Sequence, residues 1–169
     1  MTGSQTTSRP ALTEIWAWLH EIPDPEIPCI SLVDLGVIRH VGWDGDTLKL
    51  LITPTYSGCP ATAVINIEIE NHLRNKGIGK LVLERQLSPA WTTDWISDEG
   101  REKLLAYGIV PPVKGNAATG FGSLTKPPIA CPRCGSCATE RISQFGSTPC
   151  KASYRCLSCL EPFDYFKCI

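Results

Sequence analysis

Thr47-Leu-Lys-Leu-Leu-Ile52 followed by Thr53-Pro-Thr-Tyr-Ser-Gly-Cys-Pro60 is a strand pattern running into a turn that ends on a cysteine. The apolar residues of the first six alternate, which is the period of a half-buried strand. Pro54, Gly58 and Pro60 then break the pattern, and Pro60 is a helix-start signal because a first-turn proline loses no hydrogen bond. A helix is expected from about Ala61 to Asn75, with Ala63, Val64, Ile67 and Leu73 as its apolar residues. Cys59 should occupy or adjoin its N-cap, where unpaired N–H groups and the positive end of the helix dipole favour a thiolate. Such a thiolate is a nucleophile or a soft-metal ligand. The competing reading is a small buried hydrophobe, the usual state of a free cysteine, although Ser57-Gly58 makes a permissive loop rather than a packed face.

Upstream, Asp44-Gly45 is a hairpin signal that joins Val37–Trp43 to the Thr47–Ile52 strand. Before it lie a helix built on Leu12, Ile15, Trp16, Leu19 and Ile22 with Pro23 as its stop, then Asp24-Pro-Glu-Ile-Pro28, and a short turn over Ser31–Gly36. The two prolines impose an extended path that projects Asp24 and Glu26. A solvated acidic turn is the plain reading, and a turn that reaches Cys59 is the functional one. Downstream, Leu81, Leu83, Arg85 and Leu87 read as a third strand. A last helix follows from Ser97 to Tyr107, with Gly100 where a full capping box needs an acid or amide. These elements predict a small two-layer α+β domain over residues 11–109, after a disordered N-terminus over residues 1–10. Residues 110–130, rich in Pro and Gly, read as a linker.

The remaining 131–169 is cysteine-rich. Cys131-Pro-Arg-Cys134 and Cys156-Leu-Ser-Cys159 are paired C-x-x-C knuckles, the spacing of a tetrahedral four-thiolate metal site in a β-rich ribbon. A module this small lacks the core to fold alone and needs such a staple. Zinc is expected, with iron as an alternative because both accept four thiolates. Phe145, Tyr154, Phe163, Tyr165 and Phe166 are expected to pack around the site. Cys137 extends the first knuckle towards a ferredoxin-type run, but Arg141 and Ile142 stand where its Cys-Pro would follow. Cys29, Cys150 and Cys168 have no assigned role.

The chain carries 169 residues, a net charge of −1 and 43% hydrophobic residues. Those values suit a folded protein and give no basic face for nucleic acid or an anionic membrane. The polar N-terminus has no apolar core for export, so a cytoplasmic protein is expected, whose cysteines serve metal or redox chemistry rather than disulfides. His20, His40 and His72 have no motif that would make one of them a base for Cys59.

Three motifs in order, Asp24-Pro-Glu-Ile-Pro28, Ser31-Leu-Val-Asp-Leu-Gly36 and Thr53–Pro60, resemble the MIP18-like (DUF59) domain of iron-sulfur assembly factors. Trp91-Thr-Thr-Asp-Trp-Ile96, Phe145-Gly-Ser-Thr-Pro-Cys-Lys151 and Glu161–Cys168 are further similar to the PaaD family, encoded with phenylacetyl-CoA epoxidase subunits in bacterial phenylacetate degradation. The resemblance implies a MIP18-like domain over residues 11–109 and a zinc-ribbon-like module over residues 131–169. It implies Cys59 as the reactive or cluster-binding thiol, with Asp24, Glu26, Thr53 and Thr55 as pocket neighbours. It further implies a maturation factor, not an enzyme by itself, that serves the oxygenase and reductase subunits and carries iron or an iron-sulfur cluster transiently at Cys59. The alternative is a structural or adaptor subunit whose metal only folds the ribbon. A lone exposed cysteine often needs a second chain to complete a metal site, so a homodimer is a further expectation.

Overall fold

In the computed structural model, the described residues are 9–56, 58–115 and 128–167. The order is α1 (Leu12–His20), β1 (Ile38–Asp44), β2 (Thr47–Ile52), α2 (Thr62–Asn75), β3 (Leu81–Arg85), a 3-10 turn (Thr93–Trp95), α3 (Asp98–Ala106), β4 (Ile109–Val110), β5 (Thr139–Ser143), β6 (Lys151–Cys156) and β7 (Pro162–Phe166). The fold is α+β, with a first sheet in the order β1-β2-β3 and a second in the order β4-β7-β6-β5. No helix among the described residues is long and apolar enough to cross a membrane.

β1 and β2 pair antiparallel with Asp44 opposite Thr47, so Gly45-Asp46 is the two-residue turn, and Gly45 takes the positive φ of 54° that such turns require. β3 lies parallel to β2. A parallel neighbour needs a crossover, and α2 supplies it. Leu48, Leu50 and Ile52 of β2 face the core, where Ile15 and Leu19 of α1 and Ile65, Ile69 and Leu73 of α2 are also buried. The helix face differs from the one expected: Val64 and Ile67 are exposed at 45% and 57%. The buried stripe keeps helical spacing and includes the expected Leu73, but runs through Thr62, Ile65 and Ile69 in place of Ala63, Val64 and Ile67. Mixed Ile and Val on both faces had hidden this in the sequence.

The loop between α1 and β1 is ordered by its own polar groups. Asp24 Oδ1 accepts hydrogen bonds from the backbone N–H of Glu26 and Ile27, both at 2.9 Å, and its own N–H donates to Ile30 O. This closes the turn and turns Ile27, Ile30, Leu32 and Leu35 inward. Asp34, 2% exposed, then ties the loop to α3. Its carboxylate accepts from Ser31 Oγ (3.0 Å), Ser97 Oγ (2.8 Å) and Lys103 Nζ (2.9 Å). Ser97 also caps α3 by accepting from Gly100 N–H at 2.9 Å. Two glycines allow this closeness. A Cβ on Gly36 (φ +74°) would meet Trp95 O at 2.7 Å, and one on Gly100 would meet Ile30 Cδ1 at 2.9 Å.

The ribbon does not stand apart. Val110, expected to open the linker, belongs to β4, which pairs parallel with β7. Phe166 at the end of β7 is fully buried among the residues of the first core, its ring 5.9 Å from that of Trp91. Residues 116–127, most of the expected linker, lie outside the described residues. So do residues 1–8, whereas Arg9 and Pro10, expected to be disordered, both engage Trp43: the guanidinium sits 4.9 Å from the ring and the carbonyl of Pro10 accepts from the indole N–H.

Asp34→Asn is expected to destabilise the protein by about 1–3 kcal/mol at neutral pH, the range for lost charge-assisted hydrogen bonds. Burial raises the Asp34 pKa, but bonds from Lys103, Ser97 and Ser31 outweigh it, so the folded value lies below the ordinary 3.8. The contribution is therefore complete above that unfolded value and lost as pH falls through the lower folded one. Thermal melts of wild type and variant should converge only below pH 3.8.

Candidate functional site

Two cysteine centres emerge. In the ribbon, Cys131, Cys134, Cys156 and Cys159 bring their sulfurs within 4.8 Å of one another. The Cys131–Cys159 and Cys134–Cys156 pairs are 3.7 and 3.6 Å apart. A tetrahedron with zinc–sulfur bonds of about 2.3 Å has edges of about 3.8 Å, which these two pairs match, so the donor set fits a metal of that size. The backbone shapes each knuckle: Gly135 N–H donates to Cys131 O, and Cys159 N–H points at Cys156 Sγ at 3.5 Å. That N–H is the main influence pulling the Cys156 thiol down to about 6, which favours the thiolate a metal requires. Cys131, Cys156 and Phe163 form a small buried cluster with Tyr154 against it. The aromatic shell is narrower than expected. Phe145 is 62% exposed, and Phe166 serves the first domain instead. Cys137 is exposed and outside the quartet; Cys168 lies outside the described residues.

The second centre surrounds Cys59. The cysteine sits in the turn between β2 and α2, its N–H donating to Tyr56 O at 3.1 Å and its carbonyl accepting from both Thr62 N–H and Thr62 Oγ1. It is not the helix cap. Ala61 holds that position with no side-chain cap, because the Thr62 bonds take up one more turn before the helix begins. Asp24, Glu26, Thr55 and Cys59 line one cavity, together with Ile27, Leu35, Val37, Pro54, Ile65, Cys150 and Phe166. Thr53, expected among these neighbours, is not on the lining; it is 1% exposed, with its hydroxyl unpartnered among the described residues. Sequence reasoning missed Cys150 and Phe166 here. Both come from the ribbon, and neither stands in a motif that points towards Cys59. Cys29 is partly buried and is not on the lining.

The cavity holds about 10 Å³, room for roughly one water molecule. Its acids share one electrostatic tendency. Burial pushes Asp24 up against the opposing N–H bonds of Glu26 and Ile27, and burial together with Asp24 pushes Glu26 up. Burial likewise raises the Cys150 thiol, with Glu26 and Asp24 adding to it. The Tyr56 phenol is pushed up to about 12 by burial, then by Cys59 and Glu26. Its hydroxyl has no hydrogen-bond partner among the described residues. The charged group that opposes this around Asp24 and Glu26 is Lys151, itself 6% exposed and paired with Asp164 at 3.3 Å. A small pocket whose acids are raised chiefly by burial, with Asp24 and Glu26 adding to the effect on their neighbours, is suited to a cation.

Phe166→Ala should cost about 3–5 kcal/mol and open the cavity. Alkylation of Cys59 by iodoacetamide, followed by peptide mass mapping, is expected to accelerate in the variant while the metal content of the ribbon stays unchanged.

Comparison with known proteins agrees with this division. A family model for an iron-sulfur cluster assembly protein matches residues 12–80, and one for a PaaD zinc beta ribbon domain matches residues 116–167. An Escherichia coli (strain K12) protein named as a subunit of 1,2-phenylacetyl-CoA epoxidase is 49% identical over 164 residues, 97% of each chain. The crystal structure of a DUF59 domain from Bacillus anthracis superposes with a TM-score of 0.51 at 22% identity, over 54% of this chain and 89% of its own; that likeness is one of fold. With a four-thiolate ribbon docked on an assembly-type domain and near-complete similarity along its length, the chain belongs to the PaaD family of phenylacetyl-CoA epoxidase subunits.

Proposed function

We propose that the chain is an accessory maturation factor of a phenylacetyl-CoA epoxidase system, in which Cys59 transiently carries iron or an iron-sulfur cluster towards the oxygenase or reductase subunits. The observation that carries this reading is the Cys59 pocket, where thiols and carboxylates surround about 10 Å³. Sites for organic substrates span hundreds of Å³, so this one suits an ion or the edge of a cluster and not an acyl-CoA.

The chemistry is ligand exchange. Cys59 loses its proton as its sulfur bonds to iron, and Glu26, with its carboxylate made more basic by burial and by Asp24, is a proton acceptor in the same pocket. On delivery, client thiolates replace the Cys59 sulfur, which regains a proton. No electron needs to move. The ribbon holds its metal differently: four thiolates at near-tetrahedral edges make a closed structural site, for which zinc is the natural occupant. Its apparent contribution to folding is about 10–16 kcal/mol in comparable modules.

Co-expression of the client reductase with wild-type chain or Cys59→Ser tests this. The variant is expected to keep its circular dichroism and ribbon zinc but to lower the iron and acid-labile sulfide of the purified reductase several-fold. Full reductase occupancy with Cys59→Ser would favour the second reading, a structural or adaptor subunit. For that role the exposed Val64 and Ile67 on α2 offer an apolar contact surface.

A further inference from the structure

Cys150 stands 4% exposed outside the ribbon's four-thiolate group and on the lining of the Cys59 cavity. The ribbon holds it firmly there. Lys167 N–H donates to Cys150 O at 2.9 Å, Lys151 N–H closes a turn onto Thr148 O at 3.1 Å, and the neighbouring Phe166 is fully buried. The Cys150 sulfur meets the Thr148 hydroxyl at 3.1 Å. Cys59, Asp24 and Glu26 share that lining.

We propose that Cys59 and Cys150 form a two-thiolate site for a single thiophilic divalent cation such as Fe²⁺, with Asp24 and Glu26 as nearby oxygen donors. This deepens the reading of Cys59 as the loading thiol and rests on it. Sulfur and oxygen donors of this kind suit a first-row transition metal, and the cavity volume suits one ion rather than a whole cluster. Binding forms two metal–sulfur bonds and releases the two thiol protons, with no change of oxidation state. Among the described residues only the ribbon quartet gathers three or more ligand atoms within 4.8 Å. The Cys59 site is thus more open, and an ion would draw the loop-borne Cys59 towards Cys150, held in the turn before β6. A second copy of the chain is then not needed to supply the second thiol, and loading becomes dependent on a docked ribbon.

The test uses the full chain with its ribbon filled by zinc, reduced and anaerobic, titrated with Co²⁺ while the thiolate-to-cobalt charge-transfer absorbance and zinc release are followed. Wild type is expected to take up one cobalt beyond the zinc. Cys59→Ser and Cys150→Ser should each give about half the charge-transfer intensity per bound cobalt, as expected for one thiolate instead of two; the double variant should bind none, and Cys29→Ser should match wild type. Phenylarsine oxide, which condenses with two neighbouring thiols and loses water, checks the pair without any substitution: peptide mapping should find Cys59 and Cys150 bridged by one arsenic. Undiminished intensity in Cys150→Ser and no bridged pair would overturn the two-thiolate site while leaving Cys59 as a single-thiol carrier. Cobalt uptake unchanged in Cys59→Ser would overturn both readings.

Discussion

The contact on which the architecture turns is the burial of Phe166 beneath Trp91. A ribbon of this size has little apolar surface to spare. It nevertheless commits its largest fully buried side chain to another domain's core. The pairing of β4 with β7 fixes the direction of approach, since the backbone of the first domain becomes the edge of the ribbon's own sheet. Once Phe166 is seated, the residues beside it have little freedom, and Cys150 and Lys151 are delivered to the Asp24 turn. Aromatic burial of this kind is non-directional by itself; the strand pairing gives it register.

The two cysteine centres are physical opposites. In the ribbon, four sulfurs gather within 4.8 Å of one another as the corners of a metal-sized site, and a backbone N–H already favours one thiolate. A metal held so completely would leave slowly. Around Cys59 the donors are mixed and spread over a loop and turns of both modules, and burial raises the pKa of Asp24, Glu26 and Cys150. Scattered donors would hold an ion less tightly than a preformed quartet, since the ion must gather its ligands and displace the thiol protons, and for a carrier that is an advantage. The same separation explains why the first domain keeps a rigid frame. Asp24 is at once a pocket acid and the hydrogen-bond acceptor that closes its own turn, so the site and the loop that builds it cannot be separated.

Asp34 shows how much of the family-like pattern is structural. It lies within Ser31–Gly36, a motif that the sequence presents beside the acidic turn. Its carboxylate is fully occupied by Ser31, Ser97 and Lys103, which joins the loop to α3, while Gly36 admits Trp95 at a distance no side chain would allow. The motif therefore fixes the wall behind the cavity rather than its chemistry.

The sequence by itself determined the elements and one of the two centres. Alternation over Thr47–Ile52, the Asp44-Gly45 turn and the paired C-x-x-C knuckles are local patterns, set by backbone geometry and ligand reach within a few residues, and each is found in the structure. The family resemblance of its ordered motifs, and not spacing, implied Asp24, Glu26, Thr53 and Thr55 as neighbours of Cys59, and all of these but Thr53 line one cavity with it. What only the tertiary structure decided depends on relations between distant faces. The buried side of α2 runs through Ile65 and Ile69, and the apolar residues on its other side made the two choices look alike. Phe166 left the ribbon's aromatic shell because Trp91 offered a deeper site. Cys150 reached the Cys59 cavity because β7 docks on β4, a pairing between segments about 50 residues apart that no local pattern encodes.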